Sequence, residues 1–208
     1  MCIRDRFRVE DNLLTVSYEN WDQFNGEFGH LFYEERFSHY LLRIEYRFIG
    51  EQVKGGPGWA YRNNGVMLHS QDPETMALNQ EFPVSMESQF LGGNGKDDRT
   101  TLNVCTPGTN MVIDGDLITR HCTNYSSETF HGHQWVSVEI EVRGNDELIH
   151  RLNGKPVFEL KNMQLDENDP DAKILLENGS NPLLSEGYIA IQAESHPTQF
   201  RKIQIKPL

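Results

Sequence analysis

Three short stretches carry the side chains best suited to chemistry. In FPVSMESQFLGG, Glu87 and Gln89 are two residues apart and alternate with Met86 and Phe90, so a carboxylate and a carboxamide share one strand face. A carboxylate on an otherwise apolar strand is unusual if that face is buried. In IQAESHPTQFRK, Gln192 and Glu194 share a face and His196 follows at the strand end. Glu and His close together can divide general-base and general-acid work near neutral pH, or ligate a divalent cation. In GGPGWAYRNNGVMLHSQDP, Trp59, Tyr61, Arg62, Asn63, Asn64 and His69 surround a Gly-rich loop that runs into a strand. Trp and Tyr offer flat faces to sugar rings, while Arg and Asn offer contacts to hydroxyls and carbonyls. Each stretch also has a plainer reading. The two Glu-bearing faces could be solvated strand surface, and Asn63-Asn64-Gly65 could be a turn beside a core tryptophan.

Strands must position these groups, because the apolar pattern has period two along most of the chain. In YLLRIEYRFIG, Leu42, Ile44, Tyr46 and Phe48 fall on one face and Leu41, Arg43, Glu45 and Arg47 on the other. In WVSVEIEVRG, Val136, Val138, Ile140 and Val142 alternate with Ser137, Glu139, Glu141 and Arg143. GYIAIQAES and FRKIQIK read the same way, and Gly92-Gly93, Gly144-Asn145, Asn153-Gly154 and Ser185-Glu186-Gly187 punctuate the runs. DENDPDAKILL, from Asp166 to Leu176, is the best place for a short helix or loop. Many evenly spaced strands in one domain predict an all-β, two-sheet sandwich.

The 208 residues suit one domain, large enough to bury roughly 70% of its unfolded surface without a metal staple. Hydrophobic residues at 37% and charged residues at 24% exclude whole-chain disorder. No run approaches the ~18 apolar residues of a membrane span. The 19 Lys and Arg against 31 Asp and Glu, a net charge of -12, disfavour nucleic acid as a partner. The cysteines, Cys2, Cys105 and Cys122, show no zinc spacing. Cys105 and Cys122 bracket a turn-rich segment in which Asp114-Gly115 reads as a hairpin, bringing them together across paired strands. That favours a disulfide over two separate buried thiols, and a disulfide implies an oxidising compartment. MCIRDRFRVE lacks the apolar region of a signal peptide, and MCIRDR fits poorly with the rest of the chain, as if foreign sequence were joined to a truncated frame. Residues 1–10 are therefore expected to be an artefactual or disordered extension, and residues 11–208 the domain.

Taken in order, GGPGWAYRNNGVMLHSQ, VSMESQFLGG, HCTNYSSETFHGHQWVSVEIEVRGN, HRLNGKPVF and IAIQAESHPTQFRKIQI resemble the 3-keto-disaccharide hydrolase domain family. The resemblance implies a concanavalin A-like jelly roll, export to the periplasm or outside, and cleavage of glycosides already oxidised at C3. It also implies that Arg62, Asn63, Asn64, Glu87, Gln89, Gln192, Glu194 and His196 line one concave sheet. Retaining endoglucanases of this fold place acids in a Glu-x-Asp-x-x-Glu pattern, whereas this chain reads Glu87-Ser88-Gln89-Phe90-Leu91-Gly92. The carboxylate pair ~5–5.5 Å apart needed for double displacement is not supplied by that strand. A 3-oxo group permits another route, because it acidifies the C2 hydrogen and sets the C1 substituent β to a carbonyl. Glu87 or Glu194 is then the C2 base, Arg62 or a divalent metal held by the acids and His196 stabilises the enolate, and His196 or His69 protonates the leaving oxygen. The competing expectations are a non-catalytic carbohydrate-binding module, using Trp59, Tyr61 and the asparagines, and a cell-surface interaction domain.

Overall fold

A computed structural model describes residues 6–208. Cys2 and most of the MCIRDR segment lie outside the described residues. The larger sheet has nine strands, in spatial order β1 (Phe7–Glu10), β2 (Leu13–Val16), β15 (Thr198–Pro207), β4 (His39–Phe48), β11 (Val136–Arg143), β12 (Glu147–Leu152), β13 (Lys155–Leu165), β8 (Thr109–Ile113) and β9 (Asp116–Ile118). The smaller has six: β10 (Cys122–Thr123), β7 (Asn103–Cys105), β6 (Met86–Leu91), β5 (Asn63–Ser70), β14 (Tyr188–Ala193) and β3 (Gly29–Phe32). Neighbouring strands pair antiparallel throughout both sheets. The fold is the two-sheet sandwich expected from the alternation, in the jelly-roll form that the family resemblance implies. The helix α1 (Pro170–Glu177) starts inside the Asp166–Leu176 stretch and ends one residue past it, with Asp169 accepting from the Asp171 and Ala172 amides as N-cap and Pro170 in the first turn.

The core lies between the sheets. Leu42, Ile44, Tyr46 and Phe48 and the Val136–Val142 series face Val66, Leu68, Met86, Phe90, Ile189 and Ile191. Tyr46 stacks on Phe90 at 4.5 Å between ring centroids, and its hydroxyl bonds Thr101 Oγ1 at 2.7 Å. Ser88 meets His150 Nε2 at 2.6 Å, while His150 Nδ1 lies 3.0 Å from the Leu102 carbonyl. Since Met86, Ser88 and Phe90 point inward, period two turns Glu87, Gln89 and Leu91 onto the outer face of the smaller sheet.

Two boundaries differ from the sequence reading. Strand structure starts before residue 11, because β1 pairs with β2 from Phe7↔Val16 to Glu10↔Leu13. Asp114-Gly115 does form a hairpin, but it joins β8 to β9 in the larger sheet. The cysteines instead pair on β7 and β10 of the smaller sheet, where Cys105 is the register partner of Cys122 and the two are disulfide-bonded. The bond closes a loop across 17 positions. Reducing it is expected to lower unfolding stability by ~3 kcal/mol, the loop-closure figure for that length. Denaturant titration of oxidised and reduced protein checks this, and coincident curves would contradict it.

Candidate active site

A cavity of about 490 Å³ opens on the outer face of the smaller sheet, lined by Trp59, Asn63, Phe82, Glu87, Gln89, Leu91, Arg99, the disulfide, His121, Asn124 and Glu194. Its floor comes from three adjacent strands. Glu87 and Gln89 stand on β6, Asn63 on β5, and Glu194 directly follows β14. Gly65 pairs with Gln89 between them, and any side chain there would collide with the Glu87 carboxyl. The missing Cβ is what allows Glu87 to lie across the central strand. The Glu87↔Cys105 pairing carries the floor out to the disulfide at the rim.

Both carboxyls are buried, and Glu87 Oε1 and Glu194 Oε2 have no hydrogen-bond partner among the described residues. Asn63 Oδ1 is in the same state. Burial pushes the Glu87 carboxyl up to about 8. Burial raises Glu194 well above the carboxylate range too, the Glu87 charge raises it further, and the Arg99 charge opposes both. Two interacting buried acids titrate as a pair, and once Glu87 has lost its proton its charge makes the Glu194 proton harder to remove.

Arg99 is the cavity's cation. Its Nη1 donates to the Tyr61 carbonyl and, at 3.0 Å each, to those of Arg62 and Gly92, while Nη2 donates to Trp59 O at 2.9 Å. It thus ties the loop carrying Trp59 to the end of β6. Trp59 stands at the rim, 53% exposed. Gln89 Oε1 accepts from Asn103 Nδ2 at 3.4 Å.

The other sequence candidates lie elsewhere. Asn64 is turned from the cavity and donates from Nδ2 to Gln192 O at 2.8 Å, tying β5 to β14; Asn63-Asn64-Gly65 is strand, not turn. Arg62 Nη1 donates to the Gly132 carbonyl at 2.6 Å and is absent from the cavity lining, so Arg99 replaces it as the cation beside the carboxyls. His69 sits toward the far end of β5, its ring nitrogens 2.6 Å from Leu184 O and 3.3 Å from Ser38 O, lining a different cavity. Gln192 is fully buried and neither amide atom has a partner among the described residues.

His196 does not extend the Glu194 face. Ser195 adopts φ 95°, a left-handed backbone held by its N–H donating to Tyr18 OH at 2.7 Å and its Oγ accepting from Gln52 Nε2 at 2.9 Å. That twist sends the His196 ring into the interior, edge-on to Tyr61 at 5.3 Å and Phe48 at 5.6 Å. Burial first, then the charges of Arg62 and Arg99, lower its pKa to about 3, so it is neutral. Proton donation as an imidazolium, expected from the sequence, therefore passes to the carboxyl pair. Tyr61 packs on His196 and is likewise outside the cavity lining. The sequence reading passed over Arg99, Phe82, His121 and Asn124, which come from loops without a periodic signal.

Among the described residues, one group of three metal-ligating side chains has its ligand atoms within 4.8 Å of one another: Cys105, His121 and Cys122. Its sulfurs are bonded to each other, and a disulfide offers no thiolate to a metal. Glu87, Glu194 and His196, the set considered for a divalent cation, do not converge in this way. Among the described residues no helix is long and apolar enough to cross a membrane.

The fold and site are those of a jelly-roll sandwich with a buried acid pair in a cleft on its smaller sheet. The chain belongs to the 3-keto-alpha-glucoside-1,2-lyase-like domain family, whose sequence model matches residues 3–206. No curated protein sequence matches it. Solved structures with similar folds include a Bacillus subtilis protein of unknown function with a galectin-like fold (TM-score 0.59, 13% identity, covering 97% of this chain and 86% of that one). Another is a Parabacteroides distasonis protein provisionally assigned as a glycosyl hydrolase (TM-score 0.56, 16% identity, 97% and 90% covered). A third is a variant of alginate lyase A1-II′ (TM-score 0.51, 8% identity, 98% and 84% covered). At these identities the likeness is one of fold.

Proposed function

We propose that the protein cleaves the glycosidic bond of 3-keto-glycosides by elimination across C1 and C2. The observation that carries this reading is the Glu87–Glu194 pair, two buried carboxyls with raised pKa in one cavity. Glu87, whose pKa of about 8 leaves it partly ionised near neutrality, takes the C2 proton. The C–H electrons form the enolate, with its charge on the C3 oxygen. The enolate collapses to a C1=C2 double bond as the C1–O bond breaks, and Glu194, still protonated, gives its proton to the departing oxygen. Water then adds its hydroxyl at C1 and a proton at C2, giving the free 3-keto-sugar.

Arg99 stabilises the enolate by its charge, since its N–H groups already bind four carbonyls. Gln89, with its oxygen held by Asn103, keeps N–H groups for a sugar oxygen, and Trp59 offers a stacking face at the rim. Asn63 Oδ1 is an acceptor for a sugar hydroxyl. The disulfide supports an oxidising compartment, periplasmic or extracellular, as the place where this happens.

The titration of the pair sets the test. The working base is the ionised form of a group near 8, so kcat/KM for aglycone release is expected to rise with pH toward about 8. It falls again where Glu194 loses its proton, well above the ordinary carboxylate range. A rate flat across that range would remove the carboxyl pair from the mechanism. A 3-keto-glycoside that binds but is never cleaved at any pH would make the protein a carbohydrate-binding module.

A further inference from the structure

Cys105, His121 and Cys122 all line the rim of the active-site cavity, and their ligand atoms lie within 4.8 Å of one another. While the two sulfurs are bonded to each other the trio is no metal site. The backbone that carries it is held by other bonds as well. Cys105 on β7 and Cys122 on β10 are register partners, with Thr123 opposite Val104 beside them. The His121 carbonyl accepts from the Thr106 N–H at 2.7 Å and from Thr106 Oγ1 at 3.2 Å, and Arg120 Nε donates to Thr123 Oγ1 at 2.9 Å. These bonds keep the three side chains together once the sulfurs part.

Cys122 is exposed and Cys105 buried, so a dithiol reaches the bond at Cys122. The dithiol supplies two electrons and two protons: the sulfur–sulfur bond breaks, each cysteine becomes a thiol, and the dithiol closes to its own disulfide. Directly opposed residues of an antiparallel pair have Cβ atoms ~4.5–5.5 Å apart. Two thiolates on one tetrahedral zinc stand ~3.8 Å apart, as bonds of ~2.3 Å require. Side-chain rotation therefore brings the sulfurs to that spacing, and the exposed His121 ring beside them supplies a third ligand. We propose that reduced Cys105 and Cys122 together with His121 form a site for a thiophilic divalent cation, zinc being the expected ion. The metal replaces the two thiol protons, which pass to solvent. Two thiolates and an imidazole suit zinc and leave one of its four positions open, here at the cavity rim. The same donor set disfavours calcium and magnesium, which take oxygen ligands. The site does not depend on the cleavage reading and is tested without turnover.

Protein reduced with dithiothreitol, desalted without oxygen and titrated with Co²⁺ makes that test. One equivalent is expected to bind, with the near-ultraviolet thiolate band and the intense visible bands of tetrahedral cobalt, and Zn²⁺ should displace it. Oxidised protein should show neither band. At roughly 100 times its Kd, Zn²⁺ should raise the Tm of reduced protein by roughly 5–10 °C and leave that of oxidised protein unchanged. His121→Ala keeps both cysteines and alters only an exposed ring. It should weaken Co²⁺ binding by ~100-fold or more, since even an outer-shell partner is worth ~10–100-fold. Reduced protein that takes up no cobalt overturns the site, as does cobalt bound equally well by His121→Ala. A Tm of reduced protein that Zn²⁺ leaves unchanged or lowers overturns it too. If reduced protein is unfolded without metal, Zn²⁺ must restore the near-ultraviolet dichroism of the oxidised form, and its failure to do so overturns the site.

Discussion

Glu87→Gln is expected to lower kcat for aglycone release from a 3-keto-glucoside by ~10²–10⁴-fold, with a smaller change in KM. The amide keeps the size of the side chain that lies over Gly65 but cannot accept the C2 proton. Folding should survive, because the carboxyl Oε1 has no partner among the described residues to lose and an uncharged group suits its buried place better. Glu194→Gln has a different signature. Its amide is a poor proton donor, so substrates with basic leaving oxygens should suffer most. Removing one acid also removes the repulsion that Glu87 places on Glu194, so the rising limb of the pH profile should persist in Glu194→Gln and vanish in Glu87→Gln. Wild-type turnover in both variants would show that chemistry occurs elsewhere.

The second large effect is expected at Arg99. One guanidinium satisfies four carbonyls, of Trp59, Tyr61, Arg62 and Gly92, and Arg99→Met leaves them without it. Charge-assisted bonds contribute roughly 1.5–3 kcal/mol each and do not add, so a loss of ~2–4 kcal/mol in stability is expected. For a domain of this size each kcal/mol lowers Tm by ~2–4 °C. Arg99→Lys separates charge from geometry. It keeps the cation that opposes the rise in the Glu194 pKa but cannot reproduce the planar fork. Lysine should therefore hold the falling limb of the pH profile near its wild-type position, lose most of the stability, and raise KM as the Trp59 loop loosens. Methionine should shift that limb upward as well. Thermal melts alongside pH profiles distinguish the two, and unchanged melting in both variants would contradict the clamp.

The strands were legible in the sequence because a half-buried strand alternates by necessity, and Leu42 to Phe48 and Val136 to Val142 carry no competing signal. The same alternation placed Glu87 and Gln89 together on one face. It failed where the backbone leaves the pleat. Ser195 at φ 95° turns His196 inward, and a register shift between Arg201 and Gln204, with Lys202 at φ 51°, lets Arg201 and Lys202 both reach Glu45, at 2.6 and 2.8 Å. Glu45 is thereby buried on a face that period two assigns to solvent. The cysteine pairing and the Asp114-Gly115 hairpin are both right, but the hairpin is not what pairs the cysteines, since the chain between Cys105 and Cys122 crosses into the other sheet and back. Arg99 had no signal at all. It lies in a loop whose neighbours Asp97 and Asp98 suggest a solvated charge run, and only the fold shows that its fork closes on the Trp59 loop.

Elimination breaks the C2–H bond and direct displacement at C1 does not, so the hydrogen at C2 records which of the two occurs. Cleavage of a 3-keto-glucoside in D₂O, with the product analysed before free 3-keto-glucose exchanges its own C2 hydrogen, tests it most directly. Loss of the C2 proton to Glu87, exchange of that carboxyl with solvent and addition of water across C1 and C2 leave deuterium at C2 of the product, and a substrate already carrying deuterium at C2 should be cleaved more slowly than the protiated one, while Glu87→Gln should yield almost no product. Product that keeps its original C2 hydrogen, from a reaction that deuterium at C2 does not slow, would show that the bond breaks by displacement at C1 and that Glu87 takes no proton.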